Sequence, residues 1–92
     1  MVADRLMEAL VLVRTRDAGV HIGRLAEVGG DCCVLTNPRR IWSWKGGALD
    51  CYELALKGPT ECKLSDKTAL SVLSGWLEIH PLTDAAREKY GY

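Results

Sequence analysis

Ala9-Leu10-Val11-Leu12-Val13-Arg14-Thr15 is an aliphatic and β-branched run that turns polar only at its end. A strand with one face in water alternates in polarity. This one is almost continuously apolar, so it reads as a strand buried on both faces. Arg16-Asp17-Ala18-Gly19 supplies the turn after it, and Val20 to Val28 reads as the returning strand, with a bulge at Gly23. Gly29-Gly30-Asp31 is a hairpin turn of favoured composition. Cys32 to Thr36 is then a third strand, broken at Asn37-Pro38 because proline has no N–H to donate to a ladder. Ile41 to Lys45 follows as a fourth. A meander of short strands favours a strongly bent sheet or a small barrel.

After Gly46-Gly47 the hydrophobic period changes. Leu49, Tyr52 and Leu56 fall at helical spacing, and Lys57, Gly58 and Pro59 form a helix C-terminus, so a short middle helix is predicted over Leu49–Lys57. Thr60 to Ser65 alternates as a half-buried strand. Ala69 to Leu73 and Trp76 to His80 are strand-like, joined or kinked at Ser74-Gly75. Thr83 is placed to cap a final helix with Asp84 in its first turn. Met1 to Glu8 is a frayed helical turn or a loose arm. The expected fold is mainly β (α+β), a small antiparallel sheet or partly open barrel with a short middle helix and a C-terminal helix. Ninety-two residues make this one domain, residues 1–92, with a single core. Phe is absent, which leaves Val, Leu, Ile and the three tryptophans to fill that core.

Chemistry concentrates in Asn37-Pro38-Arg39-Arg40-Ile41-Trp42-Ser43-Trp44-Lys45-Gly46-Gly47. In a regular strand Arg40, Trp42 and Trp44 share one face, and Arg39, Ile41, Ser43 and Lys45 share the other. With Ile41 in the core, the two indoles would lie beside Arg40 on the opposite face. Indoles stack on bases or on a partner's apolar surface, and guanidinium forks pair with phosphate or carboxylate. The alternative keeps both tryptophans in the core and the arginines solvated, and the sequence leaves it open. Bases and acids balance at 12 each, which argues against general nucleic-acid binding. Six of the seven arginines lie in the front half, which points to a local anion site.

His21 lies near Arg14 and Arg24 in sequence and can donate to a phosphate; otherwise it is a surface histidine on a hairpin. His80 ends a strand before Pro81. The histidines are not spaced as metal ligands, and the adjacent Cys32 and Cys33 project to opposite faces of a strand. With Cys51 and Cys62 they are expected to be reduced, mostly buried small hydrophobes, in a cytoplasmic protein. No apolar run is long enough to span a membrane. No catalytic spacing, metal site or cofactor motif stands out, so the expectation is a protein that is not an enzyme.

Arg14-Thr15 followed by Ala18-Gly19-Val20-His21-Ile22-Gly23, then Arg39-Arg40-Ile41-Trp42-Ser43-Trp44 and Glu53-Leu54-Ala55-Leu56-Lys57-Gly58, resembles a family of short uncharacterised proteins from tailed bacteriophages and prophages. The likeness runs from about Val11 to Pro81. It implies a setting, the host cytoplasm, and a binding or interaction module acting on the host. Compact oligomers that sequester nucleotide-derived signals of bacterial defence systems are an analogy in size and site chemistry. Two functions are carried forward. One is a binder of a phosphorylated, nucleotide-like small molecule through Arg39, Arg40, Trp42, Trp44, Lys45, His21 and Arg14. The other is a module whose same surface docks a protein or nucleic acid. Ligand pockets usually need several hundred Å³, so so small a chain is expected to share its site in a homo-oligomer, a dimer or higher.

Overall fold

The structure is a computed structural model of the chain, describing residues 4–47 and 50–92. It is a six-stranded antiparallel sheet curled into a half-barrel, with two short helices on its outer face. The strands are β1 (Leu10–Thr15), β2 (Val20–Gly29), β3 (Cys32–Lys45), β4 (Glu61–Leu64), β5 (Leu70–Ser74) and β6 (Trp76–Pro81). The helices are α1 (Cys51–Leu56), between β3 and β4, and α2 (Asp84–Lys89), after β6. A single 3-10 turn, Asp4–Leu6, precedes β1; Met1–Ala3 of the expected arm lie outside the described residues.

The continuous apolar run explains the architecture. β1 lies between β2 and β6, with Leu12 opposite Ile22 on one side and His80 on the other. Its side chains supply two cores. Val11 and Val13 point inward to Leu25, Cys33, Leu35 and Leu73, a core built from strands alone. Leu12 points outward, where Ile22 and Ile41 pack under Leu54 and Ala55 of α1 and under Ala86 and Tyr90 beside α2. Curling closes over the inner core because residues 70–81 serve both sides of the sheet. β5 pairs with the first half of β3, β6 pairs with β1, and Gly75 alone separates them, at φ +72°.

Asp50 caps α1 by accepting from the Glu53 N–H, and Thr83 caps α2 by accepting from the Ala86 N–H. The expected start of α1 at Leu49 lies outside the described residues. Its buried face differs from the helical reading. Cys51, Leu54 and Ala55 are buried while Tyr52 and Leu56 are exposed. The helix is under two turns long, and the one side it turns to the sheet carries Cys51, Leu54 and Ala55, which leaves Tyr52 and Leu56 toward solvent.

β3 corrects the expected break. The chain runs through Asn37-Pro38 as one strand of 14 residues. Ile22 pairs with Arg39 and Arg24 with Thr36, so two residues of β3 oppose Gly23 alone. Asn37 takes φ +49° and Pro38 passes over Gly23, where an added Cβ would sit 3.1 Å from the Pro38 Cα. The missing proline N–H falls in the bulge, where the ladder is already interrupted. A second bulge, between Ile41 and Ser43 against β4, leaves Trp42 as the extra residue.

Candidate ligand site around Arg40

The second bulge decides where the two indoles go. Strict alternation would put Trp42 and Trp44 on one face. One extra residue shifts the phase, so Ile41 and Trp44 both turn to the outer, helix-covered core, beside Leu64 and Cys62 of β4. Trp42 is left outside, 64% exposed. The expectation that both tryptophans flank Arg40 is therefore corrected: Trp42 alone does.

The two adjacent arginines part in the same way. Arg39 is opposite Ile22, and its Nε donates to the Ser65 carbonyl and Nη1 to the Tyr90 carbonyl, each at 2.7 Å. It fastens the C-terminal residues to β3. Arg40 is opposite His21, on the inner side of the sheet with Val13. Its backbone N–H donates to Ser65 Oγ at 2.8 Å. No acceptor or carboxylate among the described residues meets its guanidinium, and its Nε is buried without a hydrogen-bond partner. The guanidinium carbon lies 5.1 Å from the centre of the Trp42 ring, a cation–π contact.

Around Arg40 is a cleft of about 170 Å³ lined by His21, Pro38, Trp42, Ser65, Thr68 and Ser71, with Arg39 at its border. His21 is buried, 4% exposed, and not the surface residue that a hairpin position allows. Its Nε2 is 2.8 Å from the Ala18 carbonyl, which can only accept, so Nε2 carries the hydrogen and Nδ1 is the open acceptor of the neutral ring. Burial holds its pKa below the ordinary 6.5, the Ala18 hydrogen bond opposes that, and the Arg40 charge adds to it. The cleft therefore combines one unpaired positive charge, three hydroxyls and an exposed indole at its lip.

The other expected residues lie elsewhere. Arg14 is on the outer face, paired with Glu78 at 3.0 Å. Trp44 and Lys45 line a separate depression with Ser43, Glu61, Cys62 and Lys63. Of the expected set the structure brings Arg39, Arg40, Trp42 and His21 to one cleft; Arg14, Trp44 and Lys45 stand apart from it. Ser65, Thr68 and Ser71 escaped sequence reading because hydroxyl residues at a turn look alike whether or not they face a cleft.

Cys33 and Cys51 are buried and Cys62 is partly so; Cys32, which is exposed, departs from the expected burial. Desolvation pushes the Cys33 thiol up to about 11, and desolvation also raises Cys51 and Cys62. Among the described residues no group of three or more His, Cys, Asp or Glu could hold a metal ion. No described helix is long and apolar enough to cross a membrane.

Residues 8–90 match the model of a family described as Domain of unknown function (DUF6948), and the chain belongs to that family. No curated protein and no solved structure matches it.

Proposed function

We propose that this member of the family is a non-catalytic binding module that seats a phosphate group of a nucleotide-like small molecule at Arg40 and stacks its base on Trp42. One observation carries the reading: a guanidinium with a buried, unpartnered Nε faces a cleft lined by hydroxyls. An unsatisfied buried donor is unfavourable in the free protein by about 1–3 kcal/mol. An anion in the cleft would draw the guanidinium toward it, accepting from its terminal N–H groups and, once the side chain turns, from Nε, which removes that penalty. Trp42, exposed beside it, offers the flat apolar surface that a base requires. A stacked base contributes about 1–3 kcal/mol, and hydrogen bonds to a charged donor about 1.5–3 kcal/mol each. Less the cost of immobilising the ligand, this is compatible with dissociation constants near the micromolar range.

A cleft of about 170 Å³ lies below the usual range for enclosed ligands. It suits a phosphate, with the base outside on the indole and open to cover by a second copy of the chain. The same openness favours the second reading, in which Trp42 and Arg40 dock a macromolecule. Calorimetry or native mass spectrometry against cyclic dinucleotides and ADP-ribose derivatives separates them. The expected result is binding that Arg40→Met and Trp42→Ala each abolish with the fold intact, and ligand recovered unaltered after heat denaturation. Absence of binding across the panel, or normal binding by both variants, would transfer the assignment to the docking reading. Sedimentation with and without ligand tests the second copy; a monomer in both conditions removes it.

A further inference from the structure

On the outer face, away from Arg40, Trp44 and Tyr52 border a cavity of about 350 Å³. Its floor is Val20 and the buried Cys51, and its polar rim is Arg14, Asp50 and Glu78. The volume is within the range of small-ligand pockets, and it is twice that of the Arg40 cleft. Tyr52 comes from α1 and is 68% exposed, although it belongs to a helix whose neighbouring side chains are buried. Its ring rests on His80, centroids 4.6 Å apart, and His80 is in turn bonded to Glu78 at 2.9 Å. An exposed ring is thus held in place from behind.

The rim charges select the ligand class. Glu78 is engaged at both oxygens, by Arg14 and by His80. Arg14 uses only Nη1 in that pair, which leaves further N–H donors without an acceptor among the described residues. Asp50 gives one oxygen to the Glu53 N–H and has no partner at the other among the described residues. The rim therefore offers one ligand both N–H donors, from Arg14, and an acceptor, from Asp50. A neutral flat ring that carries a carbonyl and an adjacent N–H on its edge uses both. Its carbonyl suits Arg14, its N–H suits Asp50, and its faces suit the two aromatic residues.

We propose that the Trp44–Tyr52 cavity is a second binding site, for a heteroaromatic ring with a lactam edge, of the kind that guanine and uracil present. This site stands independently of the Arg40 cleft, because its ligand needs no phosphate.

The test uses guanosine, which has no anion to engage Arg40, titrated into the whole chain and followed by ¹H–¹⁵N NMR shifts. Choline and inorganic phosphate serve as the cationic and anionic comparisons. The expected result is saturable guanosine binding with shifts at Tyr52 and Val20. Tyr52→Ala and Asp50→Asn should each weaken it at least tenfold, the latter retaining a capping side chain. Arg40→Met should leave it unchanged. The proposal is overturned if guanosine does not bind, if choline or phosphate binds this cavity more tightly, or if Tyr52→Ala binds normally. A loss caused by Arg40→Met would also overturn it, by placing the base at the other cleft.

Discussion

Arg39 and Arg40 are neighbours in sequence with opposite physical situations, and replacing Arg39 with methionine should lower stability while the same change at Arg40 should not. Arg39→Met removes two charged hydrogen bonds to carbonyls, both 2.7 Å long. Such bonds contribute about 1.5–3 kcal/mol each, and partial exposure puts these at the low end, so the expected loss is about 3 kcal/mol. For a domain of this size 1 kcal/mol moves Tm by roughly 4–8 °C, which gives a fall of about 12–24 °C. Arg40→Met removes a guanidinium that makes no hydrogen bond among the described residues and whose Nε is buried without a partner there. Relief of that donor is worth about 1–3 kcal/mol, against about 0.5–1 kcal/mol for the lost contact with Trp42. The net expectation runs from no change to a gain of about 2 kcal/mol, with methionine keeping the aliphatic packing of the stem. Urea unfolding followed by far-UV circular dichroism measures both, with the slope compared to confirm a common unfolded state. If Arg40→Met destabilises as much as Arg39→Met, Arg40 is a structural residue and the ligand argument built on it fails.

Tyr90→Phe should lower stability by about 1 kcal/mol in the same assay, because the buried hydroxyl donates to the Leu54 carbonyl at 2.8 Å and ties α2 to α1. For His21, the folded pKa lies below the unfolded 6.5, so the unfolded chain binds more protons between the two values. Stability should therefore decline as pH drops below 6.5, and His21→Gln should flatten that decline. Glu78, held low first by His80 and then by Arg14, loses its contribution only as pH falls through 4.5 and below, so the decline that begins at 6.5 belongs to His21. Acrylamide quenching of tryptophan emission should be dominated by Trp42, so Trp42→Phe should remove most of the quenchable signal while Trp44→Phe leaves it. Equal effects of the two would mean that the bulge does not separate the indoles.

The elements set by local chemistry were legible in the sequence. The apolar run of β1, the turn at Gly30-Asp31 and the capping residue Thr83 each act through neighbours a few positions away. β4 and the kink at Gly75 were legible for the same reason. The long β3 was not, because whether a proline ends a strand depends on what lies across from it. Here it is Gly23, which has no Cβ to meet Pro38. The site was half legible. Arginines and indoles were visible as residue types, but their faces follow from a bulge that arises in pairing with β4, about 20 residues further along. Arg39 therefore looked like a ligand group and is a clamp, while Arg14 looked adjacent to the cleft and lies on the opposite face of the sheet.

The double service of residues 70–81 has a consequence for how the chain reaches this state. β1 and β2 can form a hairpin early, but the second partner of Leu12 is His80, 80 − 12 = 68 positions away. Until that late segment arrives, the most apolar strand of the protein has an unpaired edge, and its inner face lacks the cover of Leu73. Pairings so distant slow folding, and an exposed apolar edge invites association between chains. The β1–β6 ladder is thus a late contact whose delay carries the risk of aggregation. Productive folding of newly made chain waits for residues beyond Gly75 to become available.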